Sequence, residues 1–136
     1  MNTKRISIAV AGTVGALVLT GLTLVAQPQS DEPPEMGFFI TSVGLGDGGN
    51  LGGLAGADAH CQALAEAAGA GHRTWRAYLS TQVDDAVNAR DRIGSGPWAN
   101  AEGLTIATNS ESLHHDNSNI TWEHALDENG DQFESR

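Results

Sequence analysis

The sequence predicts an α+β domain from three neighbouring features: a glycine-rich loop, an alanine-rich helix, and an alternating strand, all between Gly44 and Ser80. The helix reads from Leu54 to Ala68. Cys61, Leu64, Ala65 and Ala68 recur at the i, i+3, i+4, i+7 spacing of one buried stripe, with Gln62 and Glu66 on the opposite side. Asp58 falls early enough to meet the positive end of the helix dipole, and Gly69 sits where a left-handed C-terminal cap belongs. The many alanines let a neighbouring sheet approach closely. Directly afterwards Trp75, Ala77 and Leu79 alternate with Arg76 and Tyr78, the period of a half-buried strand.

The remaining elements follow in order. Gly37 to Ser42, with two aromatics followed by β-branched residues, predicts a first strand. The loop from Gly44 to Gly53 has no Lys-Ser/Thr after it and no basic residue nearby, so it is not a phosphate-binding P-loop. Ala89 to Ile93 carries local charge pairing, and Gly94 to Pro97 reads as a turn. Trp98-Ala99 and Leu104 to Ala107 predict a short hairpin. Ser110 to His115 predicts a helical turn capped by Asn109 or Ser110, Thr121 to Leu126 an extended piece, and Asp127 to Gly130 a turn.

Lys4 and Arg5 precede an uncharged run from Ile6 to Ala26 and a polar break at Gln27 to Ser30. A basic start followed by an apolar core is the pattern of a secretory signal. The run is also about 21 residues, long enough to span a bilayer if it is retained as an anchor. The expected organisation is therefore a signal peptide or membrane anchor over 1–26, a linker over 27–36 and one domain over 37–136. Either way the domain is exported, secreted or held in the cell envelope. Beyond residue 26, five arginines and no lysine stand against 17 acidic residues. Nucleic acid is excluded as a partner, because phosphate recognition needs clustered basic groups. A membrane partner is expected only through the N-terminal segment.

Cys61 is the single cysteine, in a chain addressed to an oxidising compartment. A lone thiol there is a small buried hydrophobe or half of a bridge to a partner elsewhere. No basic residue adjoins it, so it is not read as a nucleophile.

Gly56-Ala57-Asp58 with Cys61, Trp75-Arg76-Ala77-Tyr78-Leu79-Ser80, and Asn88-Ala89-Arg90-Asp91-Arg92-Ile93-Gly94 together carry a resemblance. They are similar to the opening of endostatin-like domains with a C-type-lectin-like fold, and to exported bacterial lectin-like proteins that share this opening. The resemblance covers about Phe38 to Gln132. It implies a C-type-lectin-like domain in which Asp58, Cys61, Trp75, Arg76, Tyr78 and Trp98 are structural. It also implies a disulfide from the helix cysteine to one in a C-terminal strand. No second cysteine is present, so the sequence reads as a truncated copy of the domain without its closing strands.

Candidate chemistry lies mainly in the second half. Asp127-Glu128-Asn129-Gly130-Asp131 has oxygen ligands but neither the glycine position nor the closing glutamate of an EF-hand. The Glu-Pro-Asn or Gln-Pro-Asp and Trp-Asn-Asp motifs of calcium-using lectin-like domains are absent, so calcium-dependent sugar recognition is not expected. Trp122 can stack on a sugar ring if exposed, with Asn119 and Asp116 as polar partners. Asn119-Ile120-Thr121 also fits a glycosylation sequon.

The expected function is a non-enzymatic binding or adhesion module without a cofactor, for a carbohydrate or an extracellular-matrix or cell-surface ligand, as the resemblance implies. The competing expectation is a metal-dependent hydrolase built on His114, His115 and His124 with Asp116, although their spacing matches no familiar zinc pattern. A third is a fragment with no autonomous function.

Overall fold

The computed structural model describes residues 32–82 and 84–133. The expected signal or anchor over 1–26 and the linker as far as residue 31 lie outside them. Among the described residues, no helix is long and apolar enough to cross a membrane. The elements in chain order are α1 (Gly53–Ala67), α2 (Ala89–Arg92), β1 (Trp98–Ala99), β2 (Thr105–Ala107) and α3 (Ser110–Leu113).

Helix α1 begins without a side-chain cap. Gly52 occupies the N-cap position at φ 70°, and its carbonyl accepts from the Gly56 amide. A methyl group at Gly56 would overlap the Leu51 carbonyl, so the chain can enter the helix here only past a glycine. At the other end Gly69, at φ 84°, takes the left-handed position expected of it. The Ala70 amide donates to Ala65 O at 2.7 Å and the Gly69 amide to Glu66 O at 3.1 Å, the paired bonds of a Schellman motif.

Two expectations about α1 need correction. Asp58 does not sit in the first turn, which holds no acid. Nor does Gln62 face solvent. The helix meets the segment after it through a polar line, Asp58 and Gln62, spaced i, i+4 on one face. Gln62 Oε1 accepts from the Trp75 amide at 3.0 Å, and Asp58 Oδ1 accepts from the Ala77 amide at 2.9 Å. The buried residues of α1 are Ala57 and Ala65, while Cys61 is half-buried.

The segment from Trp75 to Ser80 is not a strand and pairs with none among the described residues. Its alternation is still visible in burial: Trp75 is buried, Ala77 and Leu79 half-buried, Arg76 and Tyr78 exposed. What replaces a partner strand is a set of side chains. Besides Gln62 and Asp58, Arg92 Nη1 donates to Ala77 O at 2.6 Å and to Leu79 O at 3.5 Å. Buried backbone groups must be paired, and nothing requires the partner to be backbone. Alternation sees only the side chains, so it cannot separate these two ways of satisfying a ribbon.

The only regular pairing described is the antiparallel hairpin of β1 and β2, in which Trp98 faces Ala107 and Ala99 faces Thr105 with an irregularity between them. Asn100, fully buried, shapes its turn. Its Oδ1 accepts from the Glu102 and Leu104 amides, and its Nδ2 donates to His124 O at 3.2 Å. Ile106, Trp98, Ala99, Ala107 and Leu126 form the core around the hairpin, and Phe39 packs on Trp75 with ring centroids 4.8 Å apart. Asn109 caps α3 by a reciprocal box with Ser112.

The stretch expected as a first strand makes one isolated bridge, Ile40 to Asp127. Gly37 and Phe38 both donate to Ala99 O, whereas Ile40 donates to Leu126 O. The chain changes partner within four residues, so no ladder can extend. The piece from Thr121 is likewise a turn over Trp122–His124 rather than extended, since Thr121 O accepts from both the His124 and Ala125 amides. Asp127 to Gly130 is the expected turn, closed on Asp127 Oδ1, which accepts from the Asn129 and Asp131 amides.

Candidate functional site

Trp122 stands apart from the other two tryptophans. It is 58% exposed, against 9% for Trp75 and 8% for Trp98, which line the interior as the sequence implied. The turn that carries it is clamped at both ends to the hairpin. On the entering side the Asn119 amide donates to Ile106 O and its Nδ2 to Thr105 O, both at 2.8 Å. On the leaving side Asn100 Nδ2 holds His124 O. Glu123, beside the ring, has its carboxyl below the ordinary value because its own backbone amide and the Thr121 hydroxyl donate to it. The Trp122 side chain is thereby presented to solvent on a turn held to the hairpin by three hydrogen bonds.

Asn119 and Asp116 are both exposed in the loop from α3 to this turn. The Asn119 amide nitrogen is committed to Thr105, so its side-chain oxygen is the group left for a ligand. Asp116 makes no hydrogen bond among the described residues and offers a free carboxylate in the same loop.

The three histidines of the alternative expectation sit in three different surroundings. His114 is held by Ser110 O at Nδ1 and by the Tyr78 hydroxyl at Nε2, the latter at 2.5 Å. A ring nitrogen facing a carbonyl must donate, so Nε2 of the neutral ring accepts from Tyr78. His115 is exposed, and His124 is half-buried with its Nδ1 enclosed and unbonded among the described residues. No three His, Cys, Asp or Glu side chains among the described residues gather around a possible metal position.

A second concave feature lies where α1, the Trp75–Ser80 segment and the stretch after Gly37 meet. It is an open groove of about 480 Å³, walled by Phe38, Phe39, Leu51 and Trp75, with Cys61 in its lining and Tyr78 and His114 also bordering it. Burial, and then the nearby Asp58 charge, push the Cys61 thiol above its ordinary value, which suits an inert protonated group. Behind it, burial pushes Asp58 up, but the hydrogen bonds from Arg92 and the Ala77 amide, with the Arg92 and Arg76 charges, outweigh that and leave the carboxyl below its ordinary value.

Sequence reasoning missed Arg92, Gln62, Asn100 and Glu128. Glu128 is buried, and Ser42 donates to it through both its amide, at 3.0 Å, and its hydroxyl. The i, i+4 spacing of Asp58 and Gln62 was the available signal for a polar helix face turned inward. A lone glutamate in a turn sequence offers none.

The chain matches no protein-family model, no curated protein and no solved structure at a significant level.

Proposed function

We propose that this protein is an exported, non-enzymatic binding module of C-type-lectin-like type, whose ligand is a carbohydrate of a cell surface or matrix. The observation that carries the reading is the exposed indole of Trp122 on a turn clamped to the hairpin. A sugar ring presents an apolar face of C–H groups and an edge of hydroxyls. An exposed aromatic side chain supplies large contact area at low conformational cost, and neighbouring acceptors orient the hydroxyls. Asp116 and the Asn119 side-chain oxygen are acceptors of that kind in the same loop.

The Asp58–Arg92 lock and the Trp75–Ser80 ribbon support the lectin-like part of the proposal. They tie together the three motifs on which the sequence resemblance rests. The test is a glycan array probed with the full chain, with and without a chelator. Binding to a defined set of glycans that survives chelation supports the reading. Absence of binding to any glycan, or binding abolished by chelation, contradicts it.

A further inference from the structure

The groove beside α1 has a charge character opposite to that of the chain. Seventeen acidic residues are spread along the sequence, yet none lines the groove, while Arg76, His60 and His114 do. Arg76 is exposed and forms no ion pair among the described residues, unlike Arg92 and Arg73. Apolar walls with few convergent polar groups, in a volume of about 480 Å³, are the usual form of a small-molecule site.

We propose that this groove is a second ligand site, distinct from the Trp122 surface, for a small amphipathic carboxylate with an apolar body and one anionic head. The body lies along Phe38, Phe39, Leu51 and Trp75, and the head meets Arg76 at the rim. The orientation follows from where the charge sits. Arg76 is exposed, whereas Phe38, Phe39, Leu51 and Cys61 are half-buried and Trp75 is buried, so the anionic head stays at the wet end and the apolar body lies inward. His60 points its Nε2 at Val43 O, 2.8 Å away, and His114 is engaged with Tyr78 and Ser110 O. Among the described residues, Arg76 is therefore the groove cation whose donors have no partner. The Arg76 charge does act on Asp58, but that carboxylate is already held by Arg92 and the Ala77 amide, and exposed acids more than about 8 Å away are largely screened at physiological ionic strength. Charge complementarity at the rim favours this occupant over a second copy of so acidic a chain, which brings its own excess of carboxylates.

The experiment titrates the full chain with sodium decanoate, kept below its micellar range, and separately with 1-decanol, by calorimetry at pH 7.5. The expected result is one saturable decanoate site and weaker binding of decanol. In Arg76→Gln, decanoate affinity falls by about threefold to tenfold, the range for an ion pair at a partly exposed rim, while decanol affinity is unchanged. Arg76 is exposed, and an unchanged urea midpoint shows that the variant folds. No saturable decanoate binding, or equal affinity in Arg76→Gln and the native chain, overturns the proposal. So does concentration-dependent dimerisation that Tyr78→Arg abolishes, because the groove is then covered by a second copy.

Discussion

Arg92 reaches from α2 to Asp58 on α1, with Nη2 to Oδ2 at 2.5 Å, while the same guanidinium holds the carbonyls of Ala77 and Leu79. The Arg92 side chain is 7% exposed and that of Asp58 24%, so the pair is largely removed from water. Two helices and a ribbon with no partner strand are joined at this one fork of donors. A planar guanidinium can address a carboxylate and two carbonyls at once, which a lysine ammonium on a single stem does less well.

Removing one partner of a buried pair leaves the other charge uncompensated. Arg92→Met is expected to lower stability by about 3 kcal/mol, and Asp58→Asn by a similar amount, in urea unfolding. The double variant is expected to lose clearly less than the sum of the two, which a double-mutant cycle measures. Arg92→Lys should recover only part of the loss. Additive losses would show that the two side chains do not act together.

The same pair sets a pH dependence. Asp58 in the folded chain binds its proton less readily than in the unfolded chain, where the ordinary value is about 3.9. A depressed carboxyl contributes stability that is fully present above the unfolded value and is lost as pH falls through the folded one. The stability difference between the native chain and Asp58→Asn should therefore be constant from neutral pH to about pH 5 and shrink below about pH 4. A difference that grew on acidification would contradict the assignment.

Helix α1, its glycine end, the hairpin and the capped turn at Ser110 were legible because each rests on local chemistry: periodicity, a left-handed glycine, a short loop, an asparagine cap. The Trp75–Ser80 ribbon was half legible. Burial alternates as the sequence indicates, but the hydrogen-bond partners come from Asp58, Gln62 and Arg92, at least 13 positions away in sequence. Pairing over such a distance leaves no mark in a short window. Of the candidate site, the 58% exposure of Trp122 removes the reading as a half-buried strand residue and leaves the platform as the proposal. The three histidines looked alike in sequence and separated only once their neighbours were in place.

Asn100 ties the hairpin to the turn that carries Trp122. Asn100→Ala would leave the Glu102 and Leu104 amides without their side-chain partner, and the His124 carbonyl with only its bond from the Leu126 amide. A loss of about 2 kcal/mol in urea unfolding is expected. Because one clamp on the turn is lost, hydrogen exchange at Glu123–Ala125 should also accelerate more than exchange within α1. Equal acceleration throughout would deny Asn100 a positioning role.

Cys61 is expected to react slowly despite lining an open groove. Its thiol lies above the ordinary value, so the thiolate fraction at neutral pH is small. Alkylation by iodoacetamide should be several-fold slower than that of a free model thiol at pH 7.5, and its rate should go on rising with pH after the model thiol's has levelled off. A rate at pH 7 equal to the model thiol's would remove the picture of an inert, half-buried sulfur.

The most direct test of the binding role is calorimetric titration of the native chain, Trp122→Phe and Trp122→Ala with an oligosaccharide selected on the array. Exposed substitutions of this kind leave stability within about 0.5 kcal/mol, so affinity can be read without a folding correction. The expected result is near-native affinity for the phenylalanine variant and a loss of about tenfold or more for the alanine variant, as removal of a stacking face requires. Unchanged affinity in Trp122→Ala, with both variants folded, would contradict the account.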